Sequence, residues 1–344
     1  MSALQENGGR LRAYAQFIAA VLYFFLARAI AARGALGFST DPWRPLTEQA
    51  MLVFLLVIGY AGMGMYFNRQ LRPVTEQGLP LREGFGREAG MGLAFGWSLA
   101  VVCVLPMVVA GGVAIVLNLQ LSAFGWFMAD AAFFALWALA EEVAFRGYGF
   151  QRFAHAVGPL GASLGFAAFY AILQAQLLGA TRTSIVVSVV LALLLSAAYV
   201  RTKALWLSWG LNFGWKASRA LLFGLAISGV SSHSPVVQGD PMGPFWVTGG
   251  GFGLDASVIA FFVLFLAIPV LFMVTRELDF KYNAPVLIPG GIPVDLDAAA
   301  RRQHEAATRT GEPAAPTLVQ ILPTSELPPS RPLPLKGDTQ GESR

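Results

Sequence analysis

The sequence predicts an all-α fold: a polytopic transmembrane helical bundle of about eight spans, followed by a disordered, proline-rich C-terminal tail. Three observations lead there. Of 344 residues, 56% are hydrophobic and only 13% are charged, against roughly 25% charged in a soluble globular domain. The apolar residues gather into runs near the length a membrane helix needs, about 20 residues for a hydrocarbon core about 30 Å thick. The arginines and lysines lie between those runs, as they do when charge sets membrane orientation. This composition excludes an ordinary cytosolic enzyme, a disordered chain and a nucleic-acid binder. The single cysteine, Cys103, excludes a disulfide framework and a cysteine-based zinc site.

The apolar runs lie near 14–33, 51–67, 93–117, 124–149, 159–178, 184–200, 204–229 and 256–275. The first also has the look of a signal peptide, with Arg10 and Arg12 ahead of it and Ala27-Arg28-Ala29 inside it. The apolar stretch runs on past Ala29, which favours a retained helix. With eight spans, one side receives Arg10, Arg12, Arg69, Arg72, Arg82, Arg87, Arg152, Arg201, Lys203, Arg276 and Lys281. The other receives Arg33, Arg44 and Arg182, and residues 229–255 between the last two runs carry no lysine or arginine. Both termini are therefore expected in the cytoplasm. Beyond Asn283 the composition changes to Pro, Ala, Thr and charged residues. Asp295–Thr308 reads as one short helix capped by Asp295. The prolines from 313 to 334 exclude regular structure after it, and Leu327–Pro332 has the form of an SH3-like ligand.

Two of the runs carry polar residues that are costly inside a membrane and so mark function. In the fourth, Glu141, Glu142 and Arg146 follow one another within six residues. Glu142 and Arg146, four apart, share a helix face and pair. Glu141 points about 100° away and is left to serve as a general base toward water, or to reach solvent at the end of an ion-paired cluster. The seventh run holds Asn212 and Lys216, again four apart; a buried lysine needs an anion, and Glu141 or Glu142 is the candidate. Between them, the fifth run offers Gln174, which alone reads as an interhelical hydrogen bond. The Gly-rich segment Thr248–Gly253 reads as a tight extramembrane turn, His233 as a surface histidine, and Trp209, Trp215 and Trp246 as packing or interfacial anchors.

The string Glu141-Glu142-Val143-Ala144-Phe145-Arg146-Gly147-Tyr148, the Tyr170–Gln174 step, Ala204-Leu205-Trp206 with the Asn212 segment, and Thr248–Gly253 together resemble the CAAX-prenyl-protease and bacteriocin-processing (CPBP, Abi-like) intramembrane endopeptidases over about residues 90–280. The resemblance implies an all-helical membrane enzyme that hydrolyses peptide bonds near the cytoplasmic face. It implies Glu141 as the base that activates water, Glu142 as its partner and Arg146 as the counter-charge. It also implies histidines that hold a metal or that water, and an asparagine that stabilises the oxyanion. Here those positions are Gln174, Asn212 and Lys216. An amide is a poor ligand for zinc-like metals, so no metal cofactor is expected. A cation on Glu141 would lower its basicity.

The resemblance divides the chain into an N-terminal two-helix membrane region with a cytoplasmic loop (1–92), a protease-like domain (93–282) and the cytoplasmic tail (283–344). Three functions fit. One is a peptidase in which Gln174 and Asn212 orient water and Lys216 stabilises the oxyanion. The second is a catalytically silent member that binds or scaffolds, with a stabilised Glu–Lys–Arg cluster. The third is a transporter, against which the absence of a visible repeat counts. The expected partners are the bilayer, a membrane-presented peptide or protein substrate, or a protein recruited by the tail. The expected location is a bacterial inner membrane.

Overall fold

The computed structural model describes residues 2–234, 236–283, 286–287 and 293–294. Residues 1–284 form one compact unit and 285–344 a second. In the second, β3 (Val286–Leu287) pairs antiparallel with β4 (Pro293–Val294). The expected tail helix Asp295–Thr308, the proline run and the Leu327–Pro332 motif lie outside the described residues.

The first unit is helical. Its elements are α1 (Ser2–Phe38), α2 (Arg44–Asn68), the single turn α3 (Pro73–Glu76), α4 (Phe85–Val109), α5 (Leu121–Arg146) and α6 (Tyr148–Gln174). They continue with α7 (Arg182–Thr202), α8 (Leu205–Ala217), the single turn α9 (Phe245–Thr248), α10 (Val258–Val274) and α11 (Arg276–Asn283). Among the described residues five helical stretches are long and apolar enough to cross a membrane: Gly8–Phe38, Asp41–Asn68, Phe85–Val109, Ala123–Gln174 and Arg182–Thr202. The fourth joins α5 and α6. Against the expected eight spans, α10 is apolar but shorter, and α8 has only 13 residues. Large apolar side chains point outward along these helices, among them Leu22, Phe54, Val102 and Phe265, each more than half exposed. Apolar exposure on that scale needs a lipid solvent.

Two of the expected runs end early. The run 93–117 is helical only to Val109. Gly111 turns the chain at φ 74°, and Val113–Leu117 forms β1, paired antiparallel with β2 (Val237–Pro241) in the register Val113 to Pro241. Its composition, Val-Ala-Ile-Val-Leu, is β-branched, and hydropathy alone does not distinguish a short buried strand from a helix end. The run 204–229 is α-helical to Ala217, widens into a π-turn over Ser218–Leu222, and then leaves the helix. The run 159–178 belongs to a helix starting at Tyr148. Gly158 (φ 81°, ψ 163°) breaks α6 just before Pro159, because a residue preceding proline avoids the α region. Arg152, expected between spans, lies on the first limb of that helix.

What positions the site is the crossing of α4 and α8. Gly92 and Gly96 on α4 face Gly210 and Gly214 on α8. A Cβ added at Gly96 would sit 2.2 Å from Leu211 O, and one at Gly210 would sit 2.1 Å from Ala89 O. Glycine alone allows backbone to touch backbone in this way, the small-xxx-small packing of membrane helices. With α8 locked on α4, the opposite face of α8 is fixed against α5. There Trp209 Nε1 donates to Ala135 O at 3.0 Å. A core of α4, α7, α8 and α10 side chains, centred on Leu194, Leu211, Trp215 and Leu264, holds one side. A second core of α1, α2, α5 and α6 side chains, centred on Leu56, Val143, Tyr148 and Phe166, holds the other.

Candidate functional site: a closed charge cluster between α5, α6 and α8

Helical spacing puts Glu142 and Arg146 on one face of α5, and Ser208, Asn212 and Lys216 on one face of α8. The two faces meet. Glu141 Oε2 accepts from Lys216 Nζ at 2.8 Å and from Asn212 Nδ2 at 2.9 Å. The same amide nitrogen lies 3.0 Å from Glu142 Oε1, so Asn212 bridges the two glutamates. Arg146 Nη1 donates to Glu142 Oε1 at 3.0 Å, and Arg146 Nη2 to Ala192 O on α7 at 3.1 Å. The Lys216 ammonium also lies 4.5 Å from the centre of the Trp137 ring, on the next turn of α5, a favourable cation–π distance.

The cluster is almost dry. Glu142 and Asn212 have no exposed surface, Arg146 and Lys216 about 3% each, and the Glu141 side chain 13%. Two acceptor atoms in it have no hydrogen-bond partner, Glu142 Oε2 and Asn212 Oδ1. Ser208 Oγ faces Glu142 but donates to Leu205 O at 3.1 Å. α6 contributes one contact. Gln174 Nε2 donates to Tyr170 Oη at 3.2 Å, and Tyr170 Oη reaches Glu141 Oε1 at 3.5 Å. Gln174 thus joins the cluster only through Tyr170, within its own helix, and not by the interhelical bond its sequence position suggests.

All six residues singled out in the sequence, Glu141, Glu142, Arg146, Gln174, Asn212 and Lys216, are therefore brought into one connected network. Lys216 takes Glu141 rather than Glu142. The sequence reading passed over Trp137, Arg219 and Asp255. Arg219 lies three residues beyond Lys216, which extends the polar stripe of α8 by one more step and was the available signal. Its guanidinium donates through Nη1 to Asp255 Oδ1 at 2.7 Å, and Asp255 Oδ2 accepts from Ser228 N and Ser228 Oγ at 3.0 and 2.8 Å. Asp255 sits just past the Gly-rich turn. That turn packs tightly, since a Cβ on Gly253 would fall 1.9 Å from Ala226 O. Burial raises the Asp255 carboxyl, but the Arg219 charge, the hydrogen bonds from Arg219 and Ser228, and the Lys216 charge outweigh it and hold the pKa below its ordinary 3.8.

Among the described residues, the histidines stand apart from the cluster. His155 lies on the first limb of α6, before the break at Gly158, where it lines a separate cavity. His233 Nδ1 is 3.1 Å from Asp130 Oδ1 on α5, and Ser234 N donates to the other oxygen at 2.7 Å. His233 is thus half-exposed but tethered, and its loop is pinned to α5. Trp215 is fully buried and Trp246 is exposed.

The donor set does not fit a catalytic zinc, which takes three good nitrogen, sulfur or oxygen ligands. Both Glu141 oxygens already accept hydrogen bonds, an ammonium stands 2.8 Å away, and an amide oxygen and one carboxylate oxygen are what remain. Among the described residues no group of three His, Cys, Asp or Glu side chains is arranged to hold a metal.

Residues 122–218 match the family model described as type II CAAX prenyl endopeptidase Rce1-like. That span begins in α5 and ends just after α8, so it holds all six residues of the network. No curated protein matches the chain, and no solved structure does.

Proposed function

We propose that this chain, with its membrane-length apolar helices and its match to an Rce1-like family model over residues 122–218, is a catalytically silent member of the CAAX protease family, one that keeps the fold as a membrane-embedded binding or scaffolding module. The observation that carries this reading is the 2.8 Å contact between Lys216 Nζ and Glu141 Oε2. A general base needs a lone pair free to take a proton from water and a basicity matched to the task. Here one oxygen of Glu141 is held by an ammonium and an amide, and the other by Tyr170 Oη. The same contact speaks against Lys216 as an oxyanion donor, since its charge is directed at Glu141 rather than toward an incoming carbonyl. No metal is held in this reading. Lys216 and Arg146 provide, from within the chain, the positive charges that Glu141 and Glu142 require.

The basic residues support an orientation. Arg12 donates to Phe67 O, Gln151 to Glu76 O, Arg82 to Thr202 O, and Arg201 to Thr275 Oγ1. These contacts tie the basic start of α1 and the basic ends of α2, α4, α6, α7 and α10 into one end of the bundle. We place that end in the cytoplasm of a bacterial inner membrane, with both termini there and the β1–β2 end outside. The partners are the bilayer and a protein or peptide segment presented in the membrane or bound by the tail.

The test is hydrolysis. The full chain, reconstituted in liposomes with membrane-anchored peptides of varied sequence, is expected to give no cleavage products by mass spectrometry. Products that disappear in Glu141→Gln would overturn the silent reading and restore the peptidase.

A further inference from the structure

A second polar site lies at the basic end, away from the glutamate cluster. An open cavity of about 920 Å³ is formed between the start of α1, the C-terminal end of α2 and the first limb of α6. Arg10, Arg12, Arg69, Arg152 and His155 line it, together with Gln16, and no carboxylate is in its lining among the described residues. Glu76 attracts the Arg152 guanidinium from outside that lining. Arg69 is exposed at the rim, and Arg152 is partly buried in the wall. A converging set of guanidinium groups is the chemistry that recognises phosphate oxygens.

The fold holds these groups in place independently of any ligand. Arg12 donates to Phe67 O at the end of α2. Arg69 occupies the left-handed cap of α2 at φ 52°. The Arg152 guanidinium stacks 5.5 Å above the Tyr148 ring, and Tyr148 Oη donates to Asn68 Oδ1 at 2.9 Å. Beside the mouth, Leu11 is 72% and Tyr66 82% exposed, an apolar margin of the kind that acyl chains cover. A basic pocket between membrane helices at the interface, with an apolar rim, fits a lipid headgroup.

We propose that this cavity binds a phosphate oxyanion, supplied by the headgroup of an anionic phospholipid. The phosphate oxygens accept from Arg69 and Arg152, and the acyl chains lie along Leu11 and Tyr66. The proposal is independent of whether the glutamate cluster is catalytic.

The experiment is a thermal-unfolding titration of the detergent-purified full chain with phosphatidylglycerol, phosphatidylcholine and inorganic phosphate. Phosphatidylglycerol is expected to raise the unfolding midpoint and phosphatidylcholine to leave it unchanged. The half-saturating lipid concentration should rise roughly tenfold or more in Arg69→Gln/Arg152→Gln, the loss expected for removing charge-assisted hydrogen bonds. Arg69→Gln alone, at an exposed position, should weaken the response without the risk to folding that the double variant carries. Arg182→Gln, at the other end of the bundle, should keep it. A response to inorganic phosphate equal to that of the lipid, and lost in the same variants, supports the site with soluble phosphate as the source. No response to either ligand, or a phosphatidylglycerol response unchanged in both Arg69→Gln and the double arginine variant, overturns the proposal.

Discussion

Glu141 and Lys216 show how a single residue changes the chemistry of a site. The two are buried together, and each is an uncompensated charge without the other. Removing one partner of a buried pair costs about 3–5 kcal/mol, while replacing both by neutral groups costs far less. Glu141→Gln and Lys216→Met are therefore each expected to lower stability in detergent by that order, with most of the loss recovered in the double variant. A double-mutant cycle on unfolding midpoints measures the coupling, and additive losses would show that the pair is not formed. Asp255 makes a second prediction, through pH. Its folded pKa is depressed below 3.8, so the unfolded chain takes up the proton first as pH falls. The stability that Asp255 contributes is full above about pH 4–5 and is lost as pH falls through the folded value. Asp255→Asn is expected to lower stability at neutral pH and to flatten the decline between pH 5 and pH 3; an unchanged slope would contradict it.

At the scale of elements, the α4–α8 crossing carries the site. α8 is a short helix with a polar stripe, and Gly92, Gly96, Gly210 and Gly214 bring its backbone against α4. Gly96→Ala forces a Cβ to 2.2 Å from Leu211 O, and backbone cannot rotate away as a side chain can. A loss of about 1–3 kcal/mol or more is expected from overpacking, with α8 pushed outward and Asn212 moved off Glu141. Gly90→Ala, on the same helix with nothing within 4 Å, should be neutral or slightly stabilising. Equal effects at the two glycines would mean that the crossing is not the one described. This device was written in the sequence as two small-xxx-small pairs, but apolar-run reading does not weigh glycine spacing. The end of α4 was misread for the opposite reason. Val113–Leu117 is as apolar as a helix, and its strand partner, Val237–Pro241, lies more than a hundred residues away, where no local pattern reveals it.

At the scale of the whole molecule, the sequence carried the helical membrane class in its charge-poor composition, and the connected site in its i, i+4 pairs. Glu142 with Arg146, and Asn212 with Lys216, needed only helical periodicity to be put on common faces. Which glutamate Lys216 takes, and the Arg219–Asp255 pair, depended on helix crossing and on a loop, so they had to come from tertiary structure. The proposed orientation rests on the charges that cluster at one end. In a Cys103→Ser background, Asp240→Cys on β2 should react with a membrane-impermeant maleimide on intact cells, and Arg72→Cys should react only after lysis. The reverse pattern would invert the topology. In the proposed reading, an internal ammonium, Lys216, has taken the place of a bound metal. The most direct measurement is the metal content of the purified protein by mass spectrometry, beside Gln174→His/Asn212→His/Lys216→Asn. The wild type is expected to be empty and the triple variant to gain about one zinc per chain. A stoichiometric metal in the wild type would contradict the claim.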